Sequence, residues 1–166
     1  MFQLPGYGLF CTLLRELNGR IMRITISTLF FICFLWLAGC GHFDNDMFDA
    51  IAKNDIGSVD HLLRKGADVN IKDAEGRTPL YLASYLGEKD IVHLLVTNGA
   101  HTEDKNSERE TTALMIACSN RHIEVVKILL AAGARVAIKD KNGATALDYA
   151  KQAGAVGIVK LLEKAE

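Results

Sequence analysis

The sequence predicts an all-α solenoid of about four stacked units, and three observations predict it. Thr78-Pro79-Leu80, Thr112-Ala113-Leu114 and Thr145-Ala146-Leu147 recur at spacings of 34 and 33 residues. Gly66-Ala67, Gly99-Ala100 and Gly133-Ala134 recur at spacings of 33 and 34. Between these landmarks one apolar pattern returns: Ile91, Val92, Leu94, Leu95; then Val125, Val126, Ile128, Leu129, Leu130; then Ile158, Val159, Leu161, Leu162. Residues at those offsets share one face of a helix. A period of this length marks a stacked-repeat architecture rather than a single globule.

The unit Thr78-Pro79-Leu80-Tyr81-Leu82-Ala83 resembles the T-P-L-H-x-A signature of the ankyrin repeat. That resemblance spans about residues 46–166 and implies, per unit, a β-turn finger followed by two antiparallel helices. Taken in order, it implies a partial first repeat (46–72), two full repeats (73–105 and 106–139) and a last one (140–166) that stops with its second helix. Thr78 stands where an N-cap is wanted, and Pro79 occupies a first helical position whose N–H would go unsatisfied anyway. Ala83, Ala117 and Ala150 let helices approach closely. Gly66, Gly99 and Gly133 suit the positive φ that ends a second helix. Asp55, Ser58, Asp60 and His61 on the first repeat, and Lys160, Glu163 and Lys164 on the last, are expected to give the ends a polar surface.

The sequence departs from the family pattern in two places. Tyr81, Met115 and Asp148 take the signature's histidine position, so repeat-to-repeat hydrogen bonding there should change. The turn ahead of Thr112, residues 103–111, is one residue longer than its counterparts and lacks their glycine; Asp73 with Gly76 and Asp140 with Gly143 supply the turn chemistry on either side. The middle finger is therefore expected to be displaced or mobile.

Ahead of the repeats, residues 24–40 hold 13 apolar residues among 17, and much of the positive mean hydropathy of +0.13 comes from there. The unbroken run Leu29 to Ala38 is too short to span about 30 Å of hydrocarbon, which takes about 20 apolar residues. It fits the apolar region of a secretory signal. It ends in Leu37-Ala38-Gly39-Cys40, which is similar to the lipobox of bacterial lipoproteins. That resemblance implies cleavage before Cys40 and lipidation of Cys40. It divides the chain into a signal region (1–39), a lipidated cysteine with a short tether (40–46) and a repeat domain (47–166). Gly41, where an aspartate would imply inner-membrane retention, implies the periplasmic leaflet of the outer membrane. Met22-Arg23 gives a compact signal, so Met22 is the expected start. Initiation at Met47 would instead give a cytosolic form of residues 47–166.

Composition and motifs speak against chemistry. Lys and Arg number 19 against 20 Asp and Glu, a balance that does not suit a polyanion binder, so no nucleic acid is expected. None of the five histidines (His42, His61, His93, His101, His122) stands in a metal-ligand frame. Residues 41–166 contain no nucleophile elbow, phosphate loop or dinucleotide fingerprint. Cys118 stands where a small buried residue is usual, and His122 where the family carries a histidine in a turn. No catalytic residue, cofactor or metal is expected, and the chain is read as a non-enzyme.

Binding is what the resemblance implies, through finger tips and the exposed side of the first helices. Carried onto this chain, those positions include Lys72, Glu75, Arg77, Glu108, Arg109, Glu110, Lys139, Lys141 and Asn142 on the fingers. On the helices they include Tyr85, Leu86, Ser119, Asn120 and Gln152. Tyr85 is the sharpest: it reads either as an aromatic anchor of the kind enriched at interface hot spots or as local packing over the neighbouring helix. Some ankyrin-repeat lipoproteins are immunity proteins against antibacterial toxins, including phospholipases delivered by type VI secretion; the expected partner is such a toxin or effector enzyme. The alternative is an envelope scaffold or protective protein that binds a resident periplasmic enzyme, for example in oxidative defence. Peptide mapping of unprocessed precursor tests the export start: peptides should begin at Met22, and abundant peptides from residues 1–21 would refute it.

Overall fold

In the computed structural model, the described residues are 42–165; the signal region, Met22, the lipobox and Cys40 lie outside them. Eight helices follow one another: α1 (His42–Ala52), α2 (Ile56–Arg64), α3 (Pro79–Leu86), α4 (Lys89–Thr97), α5 (Ala113–Ser119), α6 (Ile123–Ala131), α7 (Ala146–Gln152) and α8 (Val156–Ala165). The odd-numbered helices pack one against the next as an inner row, and the even-numbered ones as an outer row. No strand occurs among the described residues. This is the all-α repeat solenoid that the periodicity predicts. None of these helices is long and apolar enough to cross a membrane.

Each inner helix after the first starts at a threonine in extended conformation. Thr78 Oγ1 accepts the Tyr81 N–H at 3.2 Å, Thr112 Oγ1 that of Met115 at 3.4 Å, and Thr145 Oγ1 that of Asp148 at 3.4 Å. At α5 the Met115 sulfur takes the place of the usual carboxylate and accepts the Thr112 N–H. At α7 the Asp148 carboxylate does so at 2.8 Å. Replacing a threonine cap by alanine typically costs about 1 kcal/mol.

The core runs unbroken through the stack. Leu80 and Leu114, Ala83 and Ala117, Val92 and Val126, and Leu95 and Leu129 are all essentially inaccessible to solvent. At the two ends the same register positions turn polar. Where inner repeats bury Tyr81 and Met115, Ser84 and Cys118, and half-bury Val96 and Leu130, the last repeat exposes Asp148, Lys151 and Glu163. On the opposite end, Asp46, Ser58 and His61 are exposed at the positions of Pro79, Ile91 and Leu94. The polar ends are thus only partly those expected. Asp55 instead caps α2, accepting the Ser58 N–H at 3.1 Å and hydroxyl at 2.7 Å. Asp60 pairs with Arg64 at 2.7 Å, and Lys160 occupies the outward position of His93 and Lys127.

Two boundaries differ from expectation. Helix α1 already begins at His42, so most of the stretch read as tether is helical, and initiation at Met47 would remove its first five residues. Met47 itself is 1% exposed and belongs to the core. The reason is ordinary propensity. The stretch His42–Asp46 has no glycine or proline to stop a helix from extending outward from the buried Met47, Ala50 and Ile51.

The turn joining inner to outer helix repeats a left-handed residue: Asn54, Gly87, Arg121 and Gly154, at φ 52°, 83°, 64° and 65°. Gly87 has a second constraint, because a Cβ there would lie 2.5 Å from Nδ1 of His122 in the next repeat. Gly133, at φ 84°, has open space around it. Alanine at Gly133 should therefore cost about 1 kcal/mol from backbone strain alone. Alanine at Gly87 should cost at least about twice that, since His122 must also move and give up a hydrogen bond. Urea midpoints of the two variants measure the difference; equal midpoints would contradict it.

Candidate functional site

Three fingers precede α3, α5 and α7, and each is closed by the side chain that opens it. Asp73 Oδ1 accepts the N–H groups of Glu75 (3.0 Å) and Arg77 (2.8 Å). Asp140 Oδ1 accepts those of Asn142 (2.9 Å) and Ala144 (2.8 Å). In the middle finger Asn106 does this work: its Oδ1 accepts both the N–H and the hydroxyl of Thr111, each at 2.9 Å. The extra residue is absorbed inside the loop, where Glu110 adopts φ 55° in place of the missing glycine.

The middle finger is consequently not displaced, against the sequence expectation. Its Ser107 N–H donates to the carbonyl of Glu75 in the preceding finger at 3.2 Å. Its Arg109 carbonyl accepts the Lys141 N–H of the following one at 3.0 Å, and Lys105 Nζ reaches the Lys139 carbonyl at 2.9 Å. The three fingers form one continuous row. Glu75, Glu108, Arg109, Glu110, Lys139, Lys141 and Asn142 are brought together on it and exposed, and Lys72 is exposed just ahead of Asp73. Arg77 is on the row but tied down, bonding Asp73 at 2.7 Å and Glu75 at 2.6 Å. The row mixes both signs of charge.

On the inner helices the structure separates anchors from fasteners. Tyr85 and Leu86 end α3 with 49% and 38% of their surface exposed, and Gln152 is exposed at the end of α7. Ser119 is half-buried. Asn120 is committed elsewhere: its Nδ2 donates to the Tyr85 carbonyl at 2.8 Å. The same carbonyl accepts from His122 Nε2 at 3.1 Å, so the family-like histidine is a cross-repeat fastener rather than a ligand. The exposed Tyr85 side chain therefore sits on a peptide group held by two donors from the next repeat.

Sequence reasoning missed part of this edge. The exposed large apolar side chains among the described residues are Ile56, Tyr85, Leu86, Ile123 and Val156, all at the junction of an inner and an outer helix. Ile56, Ile123 and Val156 each open an outer helix, in register with Lys89 in α4. That fixed register was available in the sequence, but it lies two residues ahead of the recurring apolar face that begins at Ile91, Val125 and Ile158.

At the former histidine positions only Tyr81 reaches the next repeat. Thr111 Oγ1 donates to Asn106, so the Tyr81 hydroxyl donates to Thr111 Oγ1, at 3.2 Å. The hydrogen bonds of Met115 and Asp148 among the described residues lie within their own caps. Cys118 is fully buried, and burial pushes its thiol up to about 12, which keeps it protonated and inert. Among the described residues no cluster of His, Cys, Asp and Glu has the arrangement of a metal site.

Comparison with known proteins gives the same picture. The family described as "Ankyrin repeats (3 copies)" matches residues 47–140 and 101–166. The chain is similar to "Ankyrin repeat and SAM domain-containing protein 6" of Mus musculus, 44% identical over 80 residues, covering 48% of this chain and 9% of that protein. It is 35% identical over 131 residues to "Ankyrin repeat and KH domain-containing protein mask-1" of Caenorhabditis elegans, covering 76% of this chain and 5% of that one. It is 36% identical over 101 residues to "Alpha-latrocrustotoxin-Lt1a" of Latrodectus tredecimguttatus, covering 61% and 7%. The chain thus spans less than a tenth of the length of these relatives.

One polar pair gives the last finger a pH signature. The Tyr149 hydroxyl donates to Asp140 Oδ2 at 2.7 Å. That bond, with the backbone N–H groups of Ala144 and Asn142, holds the Asp140 carboxyl below its ordinary value of 3.8. Burial, then the bond to Asp140, pushes Tyr149 from 10.0 to about 12. The depressed carboxyl stabilises the fold above pH 3.8, and that contribution is lost as pH falls through the folded value. The raised phenol stabilises it fully below pH 10.0, and that contribution is lost as pH climbs toward about 12. Tyr149→Phe should lower stability at neutral pH and flatten both limbs of the urea-midpoint profile; an unchanged alkaline limb would contradict this.

Proposed function

The chain belongs to the ankyrin-repeat family, a protein-binding scaffold, and we propose that it is a non-enzymatic, lipid-anchored binding protein of the bacterial periplasm. In this reading its partner is an antibacterial toxin, such as a phospholipase effector of type VI secretion, which it binds and inhibits as an immunity protein. The observation that carries the reading is the sequence Leu37-Ala38-Gly39-Cys40 directly ahead of the scaffold.

A single residue, Gly41, separates Cys40 from the first helical residue, His42. A lipid on Cys40 would therefore keep the repeat domain close to the bilayer. Such a tether concentrates the binding surface where a lipid-degrading enzyme has to work. The partner's active-site entrance or lid would be occluded by the finger row, with Tyr85 and Leu86 as the apolar anchor.

Co-purification from the native host with mass spectrometric identification should yield a lipase-like toxin. A housekeeping envelope protein as sole partner would refute the immunity reading in favour of an envelope scaffold. With the partner in hand, Tyr85→Ala should weaken binding at least about tenfold, as truncated hot spots do. Its urea midpoint should stay near that of the parent, because the side chain is half exposed.

A further inference from the structure

Two of the described asparagines, Asn98 and Asn142, precede glycine. We propose that Asn142 is a site of spontaneous deamidation that alters the charge and backbone of the last finger. This inference does not rest on the identity of any partner.

The reaction needs only the chain and water. The Gly143 backbone nitrogen, giving its proton to solvent, attacks Cγ of Asn142. The N–Cγ bond forms, the Cγ–Nδ2 bond breaks, and Nδ2 leaves as ammonia, with a proton taken from solvent. Water then opens the cyclic imide at one of its two carbonyls. One opening yields aspartate; the other yields isoaspartate, in which the main chain runs through the former side-chain carboxyl carbon.

The finger favours these steps. Asn142 is exposed, and its carboxamide has no hydrogen-bond partner among the described residues. Gly143 has no Cβ to obstruct ring closure, and beyond its two chain neighbours nothing lies within 4 Å of where one would stand. One hydrogen bond has to open, that from the Gly143 N–H to the Asp140 carbonyl at 3.0 Å. Such single turn bonds at a loop tip belong to the least protected class of native hydrogen bonds.

Asn98 is the internal control. It shares the dipeptide but caps α4: its N–H donates to the Leu94 and Leu95 carbonyls. Its Nδ2 is held by the Leu94 carbonyl at 2.8 Å, and the Gly99 N–H by the Val96 carbonyl at 3.0 Å. Both reacting groups are engaged there, and freeing them unravels the helix end.

Isoaspartate at residue 142 would add one backbone carbon to a turn that Asp140 closes through its bonds from residues 142 and 144. Either product would set a new carboxylate beside Lys141 and Asp140, removing the finger's excess of positive charge. A surface built to meet a partner would thus change with the age of the molecule.

The test is incubation of the purified full chain in oxygen-labelled water near neutral pH and at body temperature, followed by peptide mapping. The peptide carrying Asn142 should gain label and resolve into aspartate and isoaspartate forms, at least about tenfold faster than the peptide carrying Asn98, whose helix end must open first. Asn142→Gln should remove the new acidic species while leaving the urea midpoint unchanged. An isolated peptide of residues 137–147 supplies the unrestrained rate. The proposal is overturned if that peptide converts while Asn142 in the folded chain stays intact, or if Asn98 converts as fast.

Discussion

Every helix among the described residues is too short to stand alone. They run from 7 to 11 residues, while isolated helices below about 12–15 residues are marginal in water even with favourable sequences. Secondary structure here is therefore a product of stacking rather than its precondition. The fully buried ladder of Leu80 and Leu114, Ala83 and Ala117, and Leu95 and Leu129 supplies what the helices lack on their own. With few large aromatics to fill space, the stack depends on close aliphatic contact, and the small residues Ala83, Ala117 and Ala150 make that contact available.

Apolar stacking fixes distance; polar groups fix registration. At each joint a side chain of one repeat bonds the backbone of its neighbour, and the chemical identity of that side chain varies. Asn70 Oδ1 accepts the His101 N–H at 2.8 Å in one joint, and Glu103 Oε1 accepts the Arg135 N–H at 3.0 Å in the next. Across the helix-turn edge, Asn120 and His122 fasten repeat three to the Tyr85 carbonyl, and Arg121 reaches the Gly154 carbonyl at 3.2 Å. What recurs is the geometric role, an acceptor or donor at a given height in the unit.

That distinction explains what could be read in the sequence. The threonine caps, the alanines and the aliphatic face are roles that few residue types can fill, so they recur as letters and gave away the fold. The middle finger is a role filled differently. Asn106 stands 33 residues after Asp73 and 34 before Asp140, and offers the same acceptor oxygen. A reading that looked for aspartate and glycine saw a defect where the structure has an equivalent closure, with Glu110 accepting the left-handed conformation. The candidate contact residues divided for the same reason. Arg77 and Asn120 look like free polar surface in the sequence, and only distances show that intramolecular partners already occupy them.

The twofold hold on the Tyr85 carbonyl has a consequence for recognition. The side chain protrudes into solvent, but the peptide beneath it is pinned to the neighbouring repeat from two directions. A partner that grips the ring has mainly its two side-chain torsions to quench, because the carbonyl beneath it is already held by two hydrogen bonds. Any pull on the ring is also transmitted directly to α6 through His122, its N-cap residue. Tyr85 is in that sense a lever with its fulcrum in the next repeat, and a load applied at the surface is shared by two units of the stack.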